Sequence, residues 1–88
     1  MLKFAARPNV VACDLDAGQA LLNLETSQYF KLNDTGALIW KNVEAGNTLE
    51  QMQEELSSVF DVSQEDCRDD ILDLLKALEE AGLIERQA

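Results

Sequence analysis

The spacing of apolar residues changes once along this chain, at residues 33–34, and this change limits the folds that are possible. Before it, short segments alternate apolar and polar residues, as half-buried strands do. After it, apolar residues recur every three or four positions, as on one face of a helix. Strands that all precede the helices favour an antiparallel sheet over a parallel one. The sequence therefore predicts an α+β fold.

Three strands are predicted at residues 9–15, 19–25 and 28–32, with turn signals at 16–18 and 26–27. In the third strand Phe30 and Leu32 share one face, and Tyr29 and Lys31 share the other. Residues 83–85 are expected to return as a short extended segment. If the three strands meander in order, the first and third are the sheet edges unless that last segment covers one of them.

Three helices are predicted, each beginning at a polar residue that can cap its first turn. Asn33 or Asp34 caps the first helix, and Ser63 opens the third. Thr48 opens the second, with Gln51 at the capping-box position. The apolar stripes are Leu38, Ile39, Trp40 and Val43, then Leu49, Met52, Leu56, Val59 and Phe60, then Cys67, Ile71, Leu74, Leu75 and Leu78. The expected fold is a single winged helix-turn-helix-like domain over residues 1–88, with a three-stranded antiparallel sheet followed by three helices.

The net charge of −10 comes from the second half of the chain, where residues 44–88 hold thirteen acidic and three basic residues. Such a surface repels nucleic acid and anionic membranes. A winged-helix topology usually favours DNA binding, but the third helix carries six acidic residues from Asp66 to Glu80 against Arg68 and Lys76. We therefore expect neither nucleic acid nor membrane as a partner. A winged-helix DNA-binding regulator is the alternative from another functional class.

The chain contains no histidine, which removes the commonest general base and metal ligand. Cys13 and Cys67 form no CxxC pair and are predicted to be ordinary reduced thiols. No GxGxxG or P-loop motif is present. The sequence thus predicts no catalytic residue, no metal site, no cofactor and no enzyme activity. No apolar run approaches the roughly 20 residues that span a bilayer, and no signal-peptide pattern is present, so a cytoplasmic location is expected.

The third predicted strand is an edge to which an extended peptide can add, because an open edge displays unpaired backbone N–H and C=O groups. On the third helix Leu72 lies in an acidic flank beside the core stripe, which suits a peptide with apolar and basic side chains. A small adaptor or dimer that pairs through the same edge is an alternative. The predicted peptide-binding residues are Gln28, Tyr29, Phe30, Lys31 and Leu32 on the strand, and Glu65, Arg68, Asp69, Leu72, Asp73 and Lys76 on the helix.

Two motifs in the chain resemble those of the PqqD-like family. The first runs through "LLNLETSQYFKLNDTGALIW" and the second through "DDILDLLKALEEAGLI". The matching residues of the first are Leu22, Thr26, Tyr29, Phe30, Leu32, Asn33, Gly36, Ile39 and Trp40. Those of the second are Asp70, Ile71, Leu74, Leu75, Leu78, Gly82, Leu83 and Ile84. The resemblance covers roughly residues 9–85.

This resemblance implies a recognition element for ribosomally made, post-translationally modified peptides. Members hold the leader segment of a precursor peptide as an added strand along their third strand, against the third helix, and present it to a modifying enzyme. Discrete leader-binding proteins of lasso-peptide clusters and proteins of pyrroloquinoline quinone (PQQ) synthesis share this pattern. The form of residues 25–40 and the lack of a fused enzyme favour the lasso-peptide type, with a separate leader peptidase as partner. A peptide chaperone of PQQ synthesis is the alternative.

Overall fold

The computed structural model describes residues 3–16 and 18–87, which form five strands and three helices. In chain order the elements are β1 (Lys3–Ala6), β2 (Val10–Leu15), β3 (Gly18–Asn23), β4 (Gln28–Leu32), α1 (Asp34–Glu44), α2 (Leu49–Phe60), α3 (Gln64–Glu80) and β5 (Ile84–Gln87). The predicted α+β fold, with a three-stranded antiparallel sheet and three helices after it, is confirmed. Two short terminal strands add a second sheet to this plan.

The larger sheet has the order β2-β3-β4, and both of its pairings are antiparallel. Leu21 of β3 lies opposite Phe30 of β4, and residues that lie opposite each other share a face. Leu21 and Leu32 are buried and Phe30 packs against the core, whereas Tyr29 on the other face is 67% exposed. The alternation predicted for residues 28–32 is therefore confirmed.

Each helix begins at a predicted cap. The side chain of Asn33 accepts a hydrogen bond from the backbone N–H of Gly36 at 2.8 Å. In α2 the Thr48 hydroxyl accepts the Gln51 backbone N–H at 3.3 Å, while the Gln51 side chain accepts the Thr48 N–H at 2.7 Å. Ser63 accepts the N–H three residues further on at 3.1 Å. Local sequence thus sets where the helices begin, and hence how the chain leaves β4.

The core lies between the helices, the inner face of the larger sheet and the two terminal strands, which contribute Phe4 and Ile84. Its buried apolar residues include Leu21, Leu32, Ile39, Trp40, Val43, Leu49, Met52, Leu56, Cys67, Ile71, Leu75 and Leu78. The predicted stripes are confirmed for α1 and α3, except that Leu38 and Leu74 are only partly buried. The prediction that Val59 and Phe60 are core residues of α2 is wrong. They are 60% and 37% exposed, because the last turn of α2 borders an open groove.

The second sheet pairs β1 with β5 antiparallel, from Lys3 opposite Gln87 to Ala6 opposite Ile84. Residues 83–85 were expected to be extended, and β5 confirms this from Ile84 onward. The strand β1 was not predicted. Because the C-terminal strand pairs with β1, it does not cover the larger sheet, and within the described residues β4 pairs only with β3.

Candidate functional site

Two clefts lie near β4, one at each end of the strand. At its C-terminal end a cleft of about 260 Å³ is lined by residues that follow β4 and by Asp70 and Leu74 of α3. At its N-terminal end a cleft of about 80 Å³ is lined by β4 itself and by Ala81, the C-terminal cap of α3. The full linings are Asn33, Thr35, Gly36, Ile39, Asp70 and Leu74 for the first and Asn23, Gln28, Tyr29, Phe30, Ala81 and Leu83 for the second.

Both clefts are lined by the same flank of α3. Asp70, Leu74 and Ala81 fall on the same side of the helix at about 100° per residue, next to the core stripe. Asp70 and Leu74 face the end of β4, and Ala81 faces its beginning. We call the space between this flank and the strand the β4–α3 groove. It offers an extended chain open backbone groups on one side and a partly apolar helix flank on the other.

The helix residues predicted from the sequence lie elsewhere on α3. Leu72 and Lys76 line a cleft of about 270 Å³ with Phe4 and Arg86, on the side of α3 that faces β1 and β5. The other four predicted helix residues, Glu65, Arg68, Asp69 and Asp73, are exposed. None of these six residues lines the two clefts at the ends of β4, and that they bind a peptide stays a prediction. The helical repeat defines two flanks beside a core stripe, and spacing alone does not say which one meets the strand.

The strand residues lie as predicted. Gln28, Tyr29 and Phe30 line the cleft at the beginning of β4, and Lys31 is exposed. Leu32 is buried and anchors the end of the strand in the core. The open edge and the β4–α3 groove thus form one surface, on which Asp70, Leu74 and Ala81 are the helix residues. That any of these residues binds a peptide stays a prediction at this point.

A buried amide sets the distance between α3 and the sheet. Asn23 at the end of β3 is only 5% exposed, and its Nδ2 donates to the carbonyl oxygen of Ala81 at 3.0 Å. Its Oδ1 accepts from Asn9 Nδ2 at 3.0 Å and from the backbone N–H of Glu25 at 2.9 Å. Asn9 also donates to the carbonyl oxygen of Gly82 at 3.3 Å. This clamp was not predicted from the sequence, although Asn23, a polar residue on the inward face of a strand, was a signal for it.

One thiol lies close to the β4–α3 groove. The buried thiol of Cys67 lines a small cleft together with Thr35 of α1 and Asp70 of α3. Burial raises the pKa of this thiol, and the neighbouring carboxylates of Asp70 and Asp66 raise it further but more weakly. Within residues 3–16 and 18–87 no cluster of three or more metal-ligating side chains occurs. None of the helices in that part of the chain is long and apolar enough to cross a membrane. The site offers the unpaired backbone groups of the β4 edge, two partly apolar clefts and the negative charge of Asp70.

The family described as Coenzyme PQQ synthesis protein D (PqqD) matches residues 18–84. The chain belongs to the PqqD family. The resemblance that the two motifs predicted is thereby confirmed. No curated protein sequence matches this PqqD-family chain.

Two solved structures are similar to it over nearly its whole length. One is described as lasso peptide synthetase B1 complexed with the leader peptide. It is 31% identical, with a TM-score of 0.86 over 94% of this chain and 98% of that one. The other is TbiB1 in complex with the TbiA(beta) leader peptide. It is 30% identical, with a TM-score of 0.87 over 96% of this chain and 98% of that one.

Proposed function

We propose that this protein is a non-catalytic recognition domain for the leader segment of a ribosomally synthesised precursor peptide. The leader adds as a strand to the outer edge of β4 and lies against Asp70, Leu74 and Ala81 in the β4–α3 groove. The protein then delivers the bound precursor to a modifying enzyme or leader peptidase, in lasso-peptide biosynthesis. The open edge of β4 beside a helix flank is the observation that carries this proposal.

The similar structures support the proposal because both are complexes with leader peptides. Their TM-scores of 0.86 and 0.87, with 30–31% identity over nearly complete chains, indicate a shared fold. One protein is described as a lasso peptide synthetase B1 and the other as TbiB1. This favours a lasso-peptide role over the alternative of a peptide chaperone in PQQ synthesis. The description of the matching family keeps the second role as a candidate.

The geometry supports strand addition by a physical argument. A strand edge without a partner leaves backbone N–H and C=O groups that a guest strand can satisfy, and pockets beside it supply selectivity. Tyr29 is 67% exposed beside the edge, and Leu74 is partly exposed within the groove. Main-chain pairing would therefore supply much of the affinity, while apolar anchors near Tyr29 and Leu74 would select the leader.

The charge of α3 argues against a DNA-binding regulator. Asp66, Asp69, Asp70, Asp73 and Glu80 are exposed on this helix, which in a winged-helix DNA complex would approach phosphates. Of the basic residues, only Arg68 and Lys76 lie on it. A gel-shift assay at low salt should accordingly show no shifted DNA.

The direct test uses a fluorescently labelled leader peptide of a candidate lasso-peptide precursor. Wild-type protein should bind it saturably, in the nanomolar to micromolar range. Phe30→Pro and Lys31→Pro each remove one backbone donor from β4. Successive residues of a strand direct their N–H groups to opposite edges, so one of the two variants loses an outward donor and the other a bond to β3. The variant that loses the outward donor should stay folded and bind the leader more weakly.

The matched controls are Val11→Pro and Ala12→Pro on β2, the other edge strand of the same sheet. The variant that loses an outward donor there should keep wild-type leader affinity. Thermal melts identify which variant of each pair retains its fold. If Phe30→Pro and Lys31→Pro both stayed folded and both bound the leader with wild-type affinity, strand addition at this edge would be excluded.

A further inference from the structure

The last turn of α2 exposes an apolar surface that lies outside the β4–α3 groove. Val59 is 60% exposed, Phe60 is 37% exposed, and Val62, just past the helix, is 41% exposed. We call these three residues the Phe60 surface. Single exposed apolar residues are ordinary, but three within four positions of so acidic a chain form a patch that needs a reason.

Val59 and Phe60 of this surface form one wall of an open groove of about 490 Å³. The opposite walls come from the β2–β3 hairpin and from α1, where Leu38 adds to the apolar floor. Carboxylates of Asp14, Asp34 and Glu44 stand around this floor, and Lys41 is the one base among the described lining residues. The groove therefore has an apolar floor and a largely negative rim.

A smaller cleft of about 120 Å³ lies on the other side of Phe60. It is lined by Val62 and Leu56 with the carboxylates of Asp66 and Asp70, and no basic residue is among its described lining residues. The same combination of apolar floor and acidic rim thus continues across Phe60. Interfaces commonly combine an apolar centre with a polar rim, and the rim charge selects the partner.

This chemistry fits a protein partner that presents apolar and basic side chains. Apolar burial at Phe60 would supply affinity, and the carboxylates would attract and orient the basic residues. Nucleic acid is excluded by the sign of the charge. A second copy of this chain fits poorly, because a self-complementary interface would bring the same acidic rims together.

The position of the surface indicates which partner it serves. Thr35 and Asp70 line both the smaller cleft beside Phe60 and the cleft at the C-terminal end of β4. The Phe60 surface therefore adjoins one end of the β4–α3 groove. We propose that it is the docking site for the enzyme that acts on the held precursor, through a basic and apolar segment of that enzyme. This inference rests on the proposed leader-binding function.

The test measures two affinities for each variant of the full chain. One is for the labelled leader peptide alone, and the other is for a purified candidate leader peptidase of the lasso-peptide type. Val59→Gln removes exposed apolar surface, and Glu44→Lys reverses one rim charge at a helix C-terminus, where a lysine is tolerated. Val59→Gln should weaken peptidase binding by about fivefold or more, the effect of losing a central interface contact. Glu44→Lys should weaken it by about threefold and make it less sensitive to salt. Leader affinity should stay within about twofold of wild type for both variants.

The matched controls make the same chemical changes elsewhere: Val11→Gln on the outer face of β2, where the residue is 43% exposed, and Glu54→Lys on the exposed face of α2. Both should bind peptidase as wild type does. Unchanged peptidase binding by Val59→Gln and Glu44→Lys would overturn the docking site. A loss of leader affinity in both would also overturn it, since the surface would then hold the leader itself. If wild type bound peptidase but no leader, the proposed function would fail separately.

Discussion

Two leucines on opposite flanks of α3 give a sharp test of where the groove lies. Leu74 lines the cleft beside the end of β4, and Leu72 lines the cleft with Phe4 and Lys76 on the other side. Both are partly buried and pack against the same core. Leu74→Ala should therefore weaken leader binding, whereas Leu72→Ala should leave it unchanged.

The size of the effect follows from the surface that each leucine exposes. Leucine to alanine removes three carbon groups, worth about 2.4 kcal/mol if the whole side chain moved from water into a contact. Leu74 is already partly buried against the core, so a bound leader can cover only the part of its side chain that is still exposed. We expect a loss of about 1 kcal/mol, or roughly a fivefold rise in the leader Kd. Leu72→Ala should change the Kd by less than about twofold.

Both variants should lose stability to a similar extent. A fully buried leucine costs about 2–5 kcal/mol when truncated, so a half-buried one should cost roughly half as much. Urea denaturation gives this loss for each variant, and fluorescence anisotropy with a labelled leader gives the Kd. Equal loss of unfolding free energy with unequal Kd would separate binding from folding. A larger Kd change for Leu72→Ala than for Leu74→Ala would refute the assignment of the groove to this flank.

Three further predictions concern the framework. Asn23→Ala should lower the free energy of unfolding by about 3 kcal/mol in urea melts, because it removes the hydrogen bonds of a buried amide to Ala81, Asn9 and Glu25, worth about 1 kcal/mol each. A loss under about 1 kcal/mol would show that Asn23 is not a clamp. Ser27→Gly should raise the melting temperature, since Ser27 has a φ of 62° and a left-handed conformation costs roughly 1 kcal/mol; a lower melting temperature would contradict that strain. Burial raises the pKa of the Cys67 thiol above its ordinary value of 9.0. As the pH rises past 9.0, the thiol therefore loses its proton in the unfolded chain before it does so in the folded one. The free energy of unfolding should fall with pH in this range. Cys67→Ala should lack this part of the alkaline slope, and an unchanged slope would assign it to other groups.

Sequence patterns predicted the features that depend on neighbouring residues. The caps at Asn33, Thr48 and Ser63 were predictable because a cap and the N–H it accepts lie within three residues of each other. The alternation along β4 was predictable because side chains of a strand point to opposite faces in turn. The order of strands and helices followed from the same local periods.

Features that depend on distant residues were not predictable in this way. The pairing of Lys3–Ala6 with Ile84–Gln87 joins the two ends of the chain through strands of four residues each, too short to show a clear alternation. The exposure of Val59 and Phe60 depends on where α2 ends relative to the sheet. Which flank of α3 borders β4 depends on how the whole helix docks, partly through the Asn23 amide at its C-terminal cap. The motifs thus identified the family, while the α3 residues that lie near the ends of β4 were seen only in the structure.

The most direct measurement of strand addition is an NMR study of the isotope-labelled protein with its cognate leader peptide. A guest strand that pairs with β4 should give intermolecular contacts between backbone protons of the leader and those of Tyr29, Phe30 and Lys31, and slow amide exchange along this edge on binding. Side-chain contacts from the leader to Leu74 should accompany them. A saturated complex whose intermolecular contacts map to the cleft between α3 and β1, or to the outer edge of β2, with the β4 amides still exchanging freely, would contradict the account.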